Sequence, residues 1–177
     1  MTTYALVGAS EFNSEQFSAR NGAGAFDAVI AVDGGFASLA AAGCVPDLAL
    51  GEAVARGADA VEVYGALGGR LDHTLANLQL LASFAERGLT VTAVGERESV
   101  AFLVGPGELR LDAAGAGIVS VFSLTDVSTG VVEEGLKYGL DGVALTNRTS
   151  WGLSNELVGT PARIALESGT LAVFLPL

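Results

Sequence analysis

Two stretches of this sequence combine glycine pairs with charged residues. In "AVDGGF" Asp33 precedes Gly34 and Gly35; in "GALGGRLDHTLANLQLL" Gly68 and Gly69 precede Arg70, Asp72 and His73, the one histidine, with Asn77 a turn further on. A glycine pair lets backbone N–H groups approach an anion without a side chain in the way, and a helix behind it adds its positive end. Arg70 offers a planar fork for phosphate oxygens, and Asp72 is a candidate metal ligand or helix cap. The pattern is that of an anion site. Simpler structure accounts for it equally: DGG is a common tight turn, Asp72 can serve only as a cap, and His73 suits a first-turn surface position. Neither stretch matches the six-residue dinucleotide fingerprint or the phosphate loop ending in lysine and serine or threonine.

A third group lies in the second half. "EEGLKYGLDG" sets Lys137, the only lysine, beside Tyr138, and "TSWGLSNELVG" sets Trp151, the only tryptophan, before Ser154 and Asn155. Aromatic faces next to hydroxyl and amide groups suit a flat, partly cationic heterocycle that stacks while its edge is hydrogen-bonded. Core or edge aromatics and a plain turn explain the same residues.

The elements that must position these groups follow from periodicity. "YALVGA", "AVIAVD" before "GGFASLAAAG", "AVEVYG" before "LDHTLANLQLLASFAERG", and "LTVTAVG" alternate strand and helix patterns, which predicts a parallel sheet flanked by helices. Ligands of such sheets bind beyond the carboxyl ends of the strands, where both glycine stretches fall. Leu75, Leu78, Leu81, Ala82 and Ala85 recur at helical spacing and predict one apolar face, with Gly88 as the stop. After Gly95 the texture changes to short β-like runs broken by glycine and proline, the pattern of an antiparallel sandwich or barrel. The expected fold is α/β: an N-terminal parallel-sheet, Rossmann-like nucleotide-binding domain over residues 1–96, then a C-terminal antiparallel β-sandwich over residues 97–177.

Composition narrows the function classes. With 20 acidic against 9 basic residues the formal charge is −11, which opposes a nucleic-acid backbone or an anionic membrane. A nucleotide would arrive as a metal complex. One cysteine, Cys44, makes no intramolecular disulfide, and the N-terminal run lacks a basic leader. A cytoplasmic protein is expected.

In order, "YALVGAS", "AVDGG", "PDLALG", "GALGGRLDHTLANLQLL", "GLKYGL" and "GLSNELVG" resemble the thiamin pyrophosphokinase family over nearly the whole chain. The resemblance implies an α/β nucleotide-binding domain followed by a β-sandwich, in homodimers with active sites at the interface. It implies attack of the thiamin hydroxyethyl oxygen on the β-phosphorus of ATP, giving thiamin diphosphate and AMP with Mg2+. Asp33 and Asp72 would then serve catalysis and the metal, with Arg70 on phosphate. Gly34, Gly35, Gly68, Gly69, His73 and Asn77 would hold the nucleotide side, and Tyr138, Ser154 and Asn155 the thiamin side, with Trp151 added on local grounds.

One block departs from the family. There "PDL" leads into a Gly-Asp-x-Asp-Ser metal-binding motif, and a later Lys-Asp-x-Thr-Asp element opens the next helix; here "PDLALG" runs directly into "EAVARGADAVEVYGA". Those carboxylates are the hard oxygen ligands that a metal-bridged triphosphate needs, and Glu52 alone is a poor substitute. Either the chain has lost the loop and is a non-catalytic relative that binds nucleotide or thiamin, or the sequence omits a segment between Leu50 and Glu52. Survival of the other blocks on both sides favours the omission. A pyrophosphokinase for a pterin or similar alcohol would keep the nucleotide half, but "GLKYGL" and "GLSNE" belong to the thiamin side of the family pattern.

Overall fold

The β-rich runs of the first half form four strands that lie parallel. In the computed structural model, which describes residues 1–8, 13–31, 57–112 and 116–177, these are β1 (Thr3–Val7), β2 (Ala28–Ala31), β3 (Ala60–Tyr64) and β4 (Thr90–Val94). Their order is β2-β1-β3-β4, and each neighbouring pair is parallel. Asp33, Gly34, Gly35, Cys44 and the junction from Leu50 to Glu52 lie outside the described residues. The described strands and helices fall into two compact units, Met1–Ser99 and Val100–Leu177.

In the first unit, helix α1 (Ser14–Gly22) inserts Phe17 into a cluster with Ala5, Val7, Val29, Tyr64 and Val94. Ala5 and Val7 are two apart and so point to one face of the sheet. Phe17 meets the Tyr64 ring edge-on, with centroids 5.2 Å apart. The Tyr64 hydroxyl donates to Glu62 at 2.8 Å, and Glu62 also pairs with Arg20 of α1.

Helix α2 (Leu71–Ala85) buries Leu81, Ala82 and Ala85 and contacts β4. The apolar face expected from Leu75 onward begins later. Leu75 is 60% exposed and Leu71 81%, so the buried side belongs to the second half of the helix. Helical periodicity marks a face, not how far along the axis the sheet covers it.

The second unit is built from β-strands. After β5 (Glu98–Val104) come β6 (Gly107–Leu111), β7 (Ile118–Ser123), β8 (Val127–Glu134), β9 (Leu140–Thr146), β10 (Asn155–Glu156), β11 (Ala162–Leu166) and β12 (Thr170–Pro176). One sheet has the order β6-β11-β8-β9, and β10, β7 and β12 neighbour one another in another. All five of these pairings, β6 with β11, β11 with β8, β8 with β9, β10 with β7 and β7 with β12, are antiparallel. Val119, Val121, Leu171 and Val173 from one set share a core with Val131, Leu145, Ile164 and Leu166 from the other. The chain is thus mixed α/β with mainly antiparallel pairing. No helix among the described residues is long and apolar enough to cross a membrane.

Candidate functional site

The carboxyl ends of β1 and β3 meet through glycine backbones. Gly8 N–H donates to the Tyr64 carbonyl at 2.6 Å, and a Cβ on Gly8 would sit 2.9 Å from the Gly65 carbonyl oxygen. From there the chain turns through Gly68 and Gly69, both at positive φ (82° and 67°), into α2. Such a pair of left-handed residues is cheap only for glycine.

Two side chains of α2 fix this turn from below. Asn77 Nδ2 donates to the Ala66 carbonyl at 2.9 Å, and Thr74 Oγ1 lies 3.2 Å from the Gly68 carbonyl and 3.3 Å from that of Arg70. The residue at the N-cap is Arg70, with no capping side-chain bond, so the cap reading of Asp72 is corrected. Asp72 instead sits in the first turn, where the helix dipole favours its charge. Its two oxygens face Arg70, with Nε 3.1 Å from Oδ1 and Nη2 2.6 Å from Oδ2. The hydrogen bonds from Arg70 hold the Asp72 carboxyl below the usual carboxylate range. His73 is exposed beside the pair.

A magnesium site needs several hard oxygen ligands. Among the described residues no group of three or more histidine, cysteine, aspartate or glutamate side chains could hold a metal. Asp72 has both oxygens on a guanidinium and does not fit the role alone.

Beside the glycine turn lies a cleft of about 330 Å³, lined by Leu67, Gly68, Gly95, Glu96, Arg97 and Glu98. Asn13, the N-cap of α1, ties its far wall through Nδ2 to the Glu96 carbonyl at 3.3 Å. Arg97 is exposed there and, among the described residues, makes no hydrogen bond or ion pair. The cleft falls past the carboxyl ends of β3 and β4, the usual ligand position of a parallel sheet.

In the second unit, Asn155 links the aromatic segment to the serine turn. Its Nδ2 donates to the Tyr138 carbonyl at 2.6 Å and to Glu133 Oε2 at 2.7 Å. Its Oδ1 accepts from Tyr138 N–H at 3.0 Å and from Glu156 N–H at 2.9 Å. Asn155 is 4% exposed and its amide is fully used. Tyr138 stands out at 60% exposure, its ring 5.5 Å from Lys137 Nζ, and Trp151 at 71%. Ser154 adopts φ 58°, unusual for a residue with a Cβ, and its N–H is held by Ser120 Oγ at 2.9 Å.

The structure therefore gathers Gly68, Gly69, Arg70, Asp72, His73 and Asn77 on one strand–turn–helix unit, and Tyr138, Ser154 and Asn155 around one amide; Trp151 lies in the turn before Ser154. Thr74, Arg97 and Glu133 join these groups without having been singled out from the sequence. Thr74 sits at helical spacing from Arg70, and Glu133 two residues after the inward Val131, so both positions carried a signal. Arg97, between two glutamates in a turn, carried none.

No family model matches the chain. Over 126 residues it is 25% identical to the thiamine pyrophosphokinase of Bacillus subtilis (strain 168), an alignment covering 71% of this chain and 58% of that protein. Its fold is similar to a crystal structure of thiamine pyrophosphokinase from Bacillus subtilis, with TM-score 0.80 and 18% identity over 99% of both chains. Thiamin pyrophosphokinase from Geobacillus thermodenitrificans gives TM-score 0.78 at 20% identity over 99% of this chain and 98% of that one. The Candida albicans enzyme gives 0.76 at 12% identity, covering 99% of this chain and 90% of that one. The chain is therefore similar in sequence to one thiamine pyrophosphokinase and shares its fold with others.

Proposed function

We propose that the protein is a thiamin diphosphokinase, transferring a pyrophosphoryl group from ATP to thiamin. The observation that carries this reading is the cleft bounded by Gly68 at the carboxyl ends of parallel strands, in a chain similar to thiamine pyrophosphokinases. In the reaction, the hydroxyethyl oxygen bonds to the β-phosphorus and loses its proton, while the bond from that phosphorus to the α,β-bridging oxygen breaks. AMP leaves with the bridging oxygen, and thiamin diphosphate carries the β- and γ-phosphates.

The first unit acts as a Rossmann-like nucleotide domain and the second as a β-sandwich that takes thiamin. Backbone N–H groups of the Gly68–Gly69 turn and the α2 N-terminus bind phosphate, and Arg70 exchanges Asp72 for phosphate oxygens as nucleotide arrives. Catalysis of this kind is mostly alignment and charge stabilisation. Asp33, Gly34 and Gly35 belong to the same proposed phosphate side. Magnesium enters as the ATP complex; among the described residues the carboxylates do not form a site for it. Tyr138, Trp151 and Ser154 form the thiamin side, and the working unit is a homodimer in the cytoplasm.

The test is direct. Purified protein with ATP, magnesium and thiamin should yield AMP and thiamin diphosphate in equal amounts by chromatography. ADP with thiamin monophosphate would reject the reaction type. Calorimetric binding of thiamin or nucleotide with no AMP formed would instead identify a binding protein without catalysis.

A further inference from the structure

A carboxyl group occupies a core position in the second unit. Along β8 the inward side chains include Val131 and then Glu133, which is 1% exposed. Glu133 stands opposite Leu140 on β9 and Ile164 on β11. Its Oε2 accepts from Asn155 Nδ2 at 2.7 Å, while Oε1 has no hydrogen-bond partner and lies 3.0 Å from where a Cβ on Gly152 would be. Burial pushes its carboxyl above the ordinary range, and the Asn155 bond opposes that only in part. An apolar residue of similar size would fill this place at lower desolvation cost.

What the carboxyl accomplishes there is legible in its partner. Asn155 holds both the N–H and the C=O of Tyr138, so one buried side chain sets the course of the segment that presents the exposed ring. One of its two amide hydrogens is committed to Glu133. Without that acceptor, the amide would rotate or leave a buried donor unpaired.

We propose that Glu133 is a positioning residue of the ligand pocket, anchoring Asn155 so that Asn155 clamps the Tyr138 segment for a flat heterocycle. That a heterocycle binds at the Tyr138 segment, and that it is thiamin, rests on the function proposed above; the clamp itself rests on the hydrogen bonds of Asn155. Asn155 acts behind the pocket wall in this arrangement, not as a ligand contact.

Three forms of the full chain test it: wild type, Glu133→Gln and Glu133→Leu. Glutamine keeps an acceptor at the same place and leucine does not. Hydrogen exchange read by NMR at the Tyr138 amide should be as slow in Glu133→Gln as in wild type and at least about tenfold faster in Glu133→Leu. Calorimetry should show thiamin affinity kept in Glu133→Gln and weakened about tenfold in Glu133→Leu, with ATP affinity unchanged in both. Unchanged Tyr138 protection in a folded Glu133→Leu protein overturns the clamp. If that variant does not fold, the wild type decides: the Asn155 side-chain amide signal must move as Glu133 titrates and stay still in Glu133→Gln. Among the described residues, Leu140 of β9 and Ile164 of β11 stand opposite Glu133, and Gly152, with Val121 of β7 beside it, lies against Oε1; none of them carries a charge. Lys137 and Glu156 form the nearby solvent-side pair, so an indifferent Asn155 signal also overturns the proposal. A wild type that binds no thiamin defeats the function reading, while exchange and titration still judge the clamp.

Discussion

Arg70 and Asp72 form a two-point ion pair on the open side of the α2 N-terminus, with heavy-atom distances of 3.1 and 2.6 Å. Both side chains are largely exposed, so the pair contributes little to the fold and is free to open. Arg70→Ala should therefore leave the melting temperature unchanged and lower kcat/KM for ATP roughly ten- to hundredfold, the cost of losing charge-assisted hydrogen bonds to phosphate. Steady-state kinetics beside a thermal melt check it. A variant with normal ATP kinetics would remove Arg70 from the phosphate side.

Asn77→Ala separates support from contact. The Ala66 carbonyl would lose its donor, and the turn through Gly68 and Gly69 would lose the brace that α2 provides. Chemical denaturation should show a loss of about 1–2 kcal/mol. The ATP KM should rise with little change in the thiamin KM. Equal stability to wild type would mean that the turn holds itself.

How much of this was legible in the sequence differs from residue to residue. The glycine turn was readable because strand, glycine pair and helix follow one another within a few residues, and local order suffices to place them. The 60% exposure of Leu75 depends on where the sheet ends, which no helical period encodes. Tyr138 and Asn155 lie 17 residues apart, and the bonds that join them arise where the segment from Leu136 to Tyr138 runs antiparallel to the one from Asn155 to Leu157. Glu133 keeps the inward alternation of β8 with Val131, so its burial has a local trace, but what it does depends on Asn155, 22 residues away.

Gly8→Ala probes the meeting of β1 and β3. The new methyl would press on the Gly65 carbonyl oxygen at 2.9 Å, backbone against side chain, and neither strand end can withdraw without breaking its pairing. A loss of about 1–3 kcal/mol is expected, as for overpacking elsewhere. Gly22→Ala, at the end of α1 with nothing within 4 Å, should instead stabilise by about 0.5 kcal/mol. Denaturant midpoints of the two variants must move in opposite directions; a shared direction would contradict the close approach at Gly8.

Glu133 makes stability depend on pH with a definite sign. Its carboxyl is raised in the folded protein from the ordinary 4.5, mainly by burial, so the folded state holds the proton more tightly than the unfolded chain. The stabilisation is complete below about 4.5 and declines as pH rises toward the folded value. Glu133→Gln removes the titration. The difference in melting temperature between wild type and Glu133→Gln should therefore shift against wild type from pH 4.5 upward. A difference that stays constant across that range would show that the carboxyl is not perturbed.

Tyr138→Ala tests the division of labour between the two units. Tyr138 is 60% exposed, and its ring takes part in no aromatic pair among the described residues, so its removal costs the core little. Asn155 grips only the main chain of Tyr138, and that grip survives the substitution. What disappears is a stacking face, worth about tenfold for a bound heterocycle. The thiamin KM should rise by about that factor while the ATP KM changes less than about twofold, because the cleft beside Gly68 belongs to the other unit. Equal rises in both constants would mean that Tyr138 serves the reaction as a whole, and the assignment of thiamin to the second unit would fall.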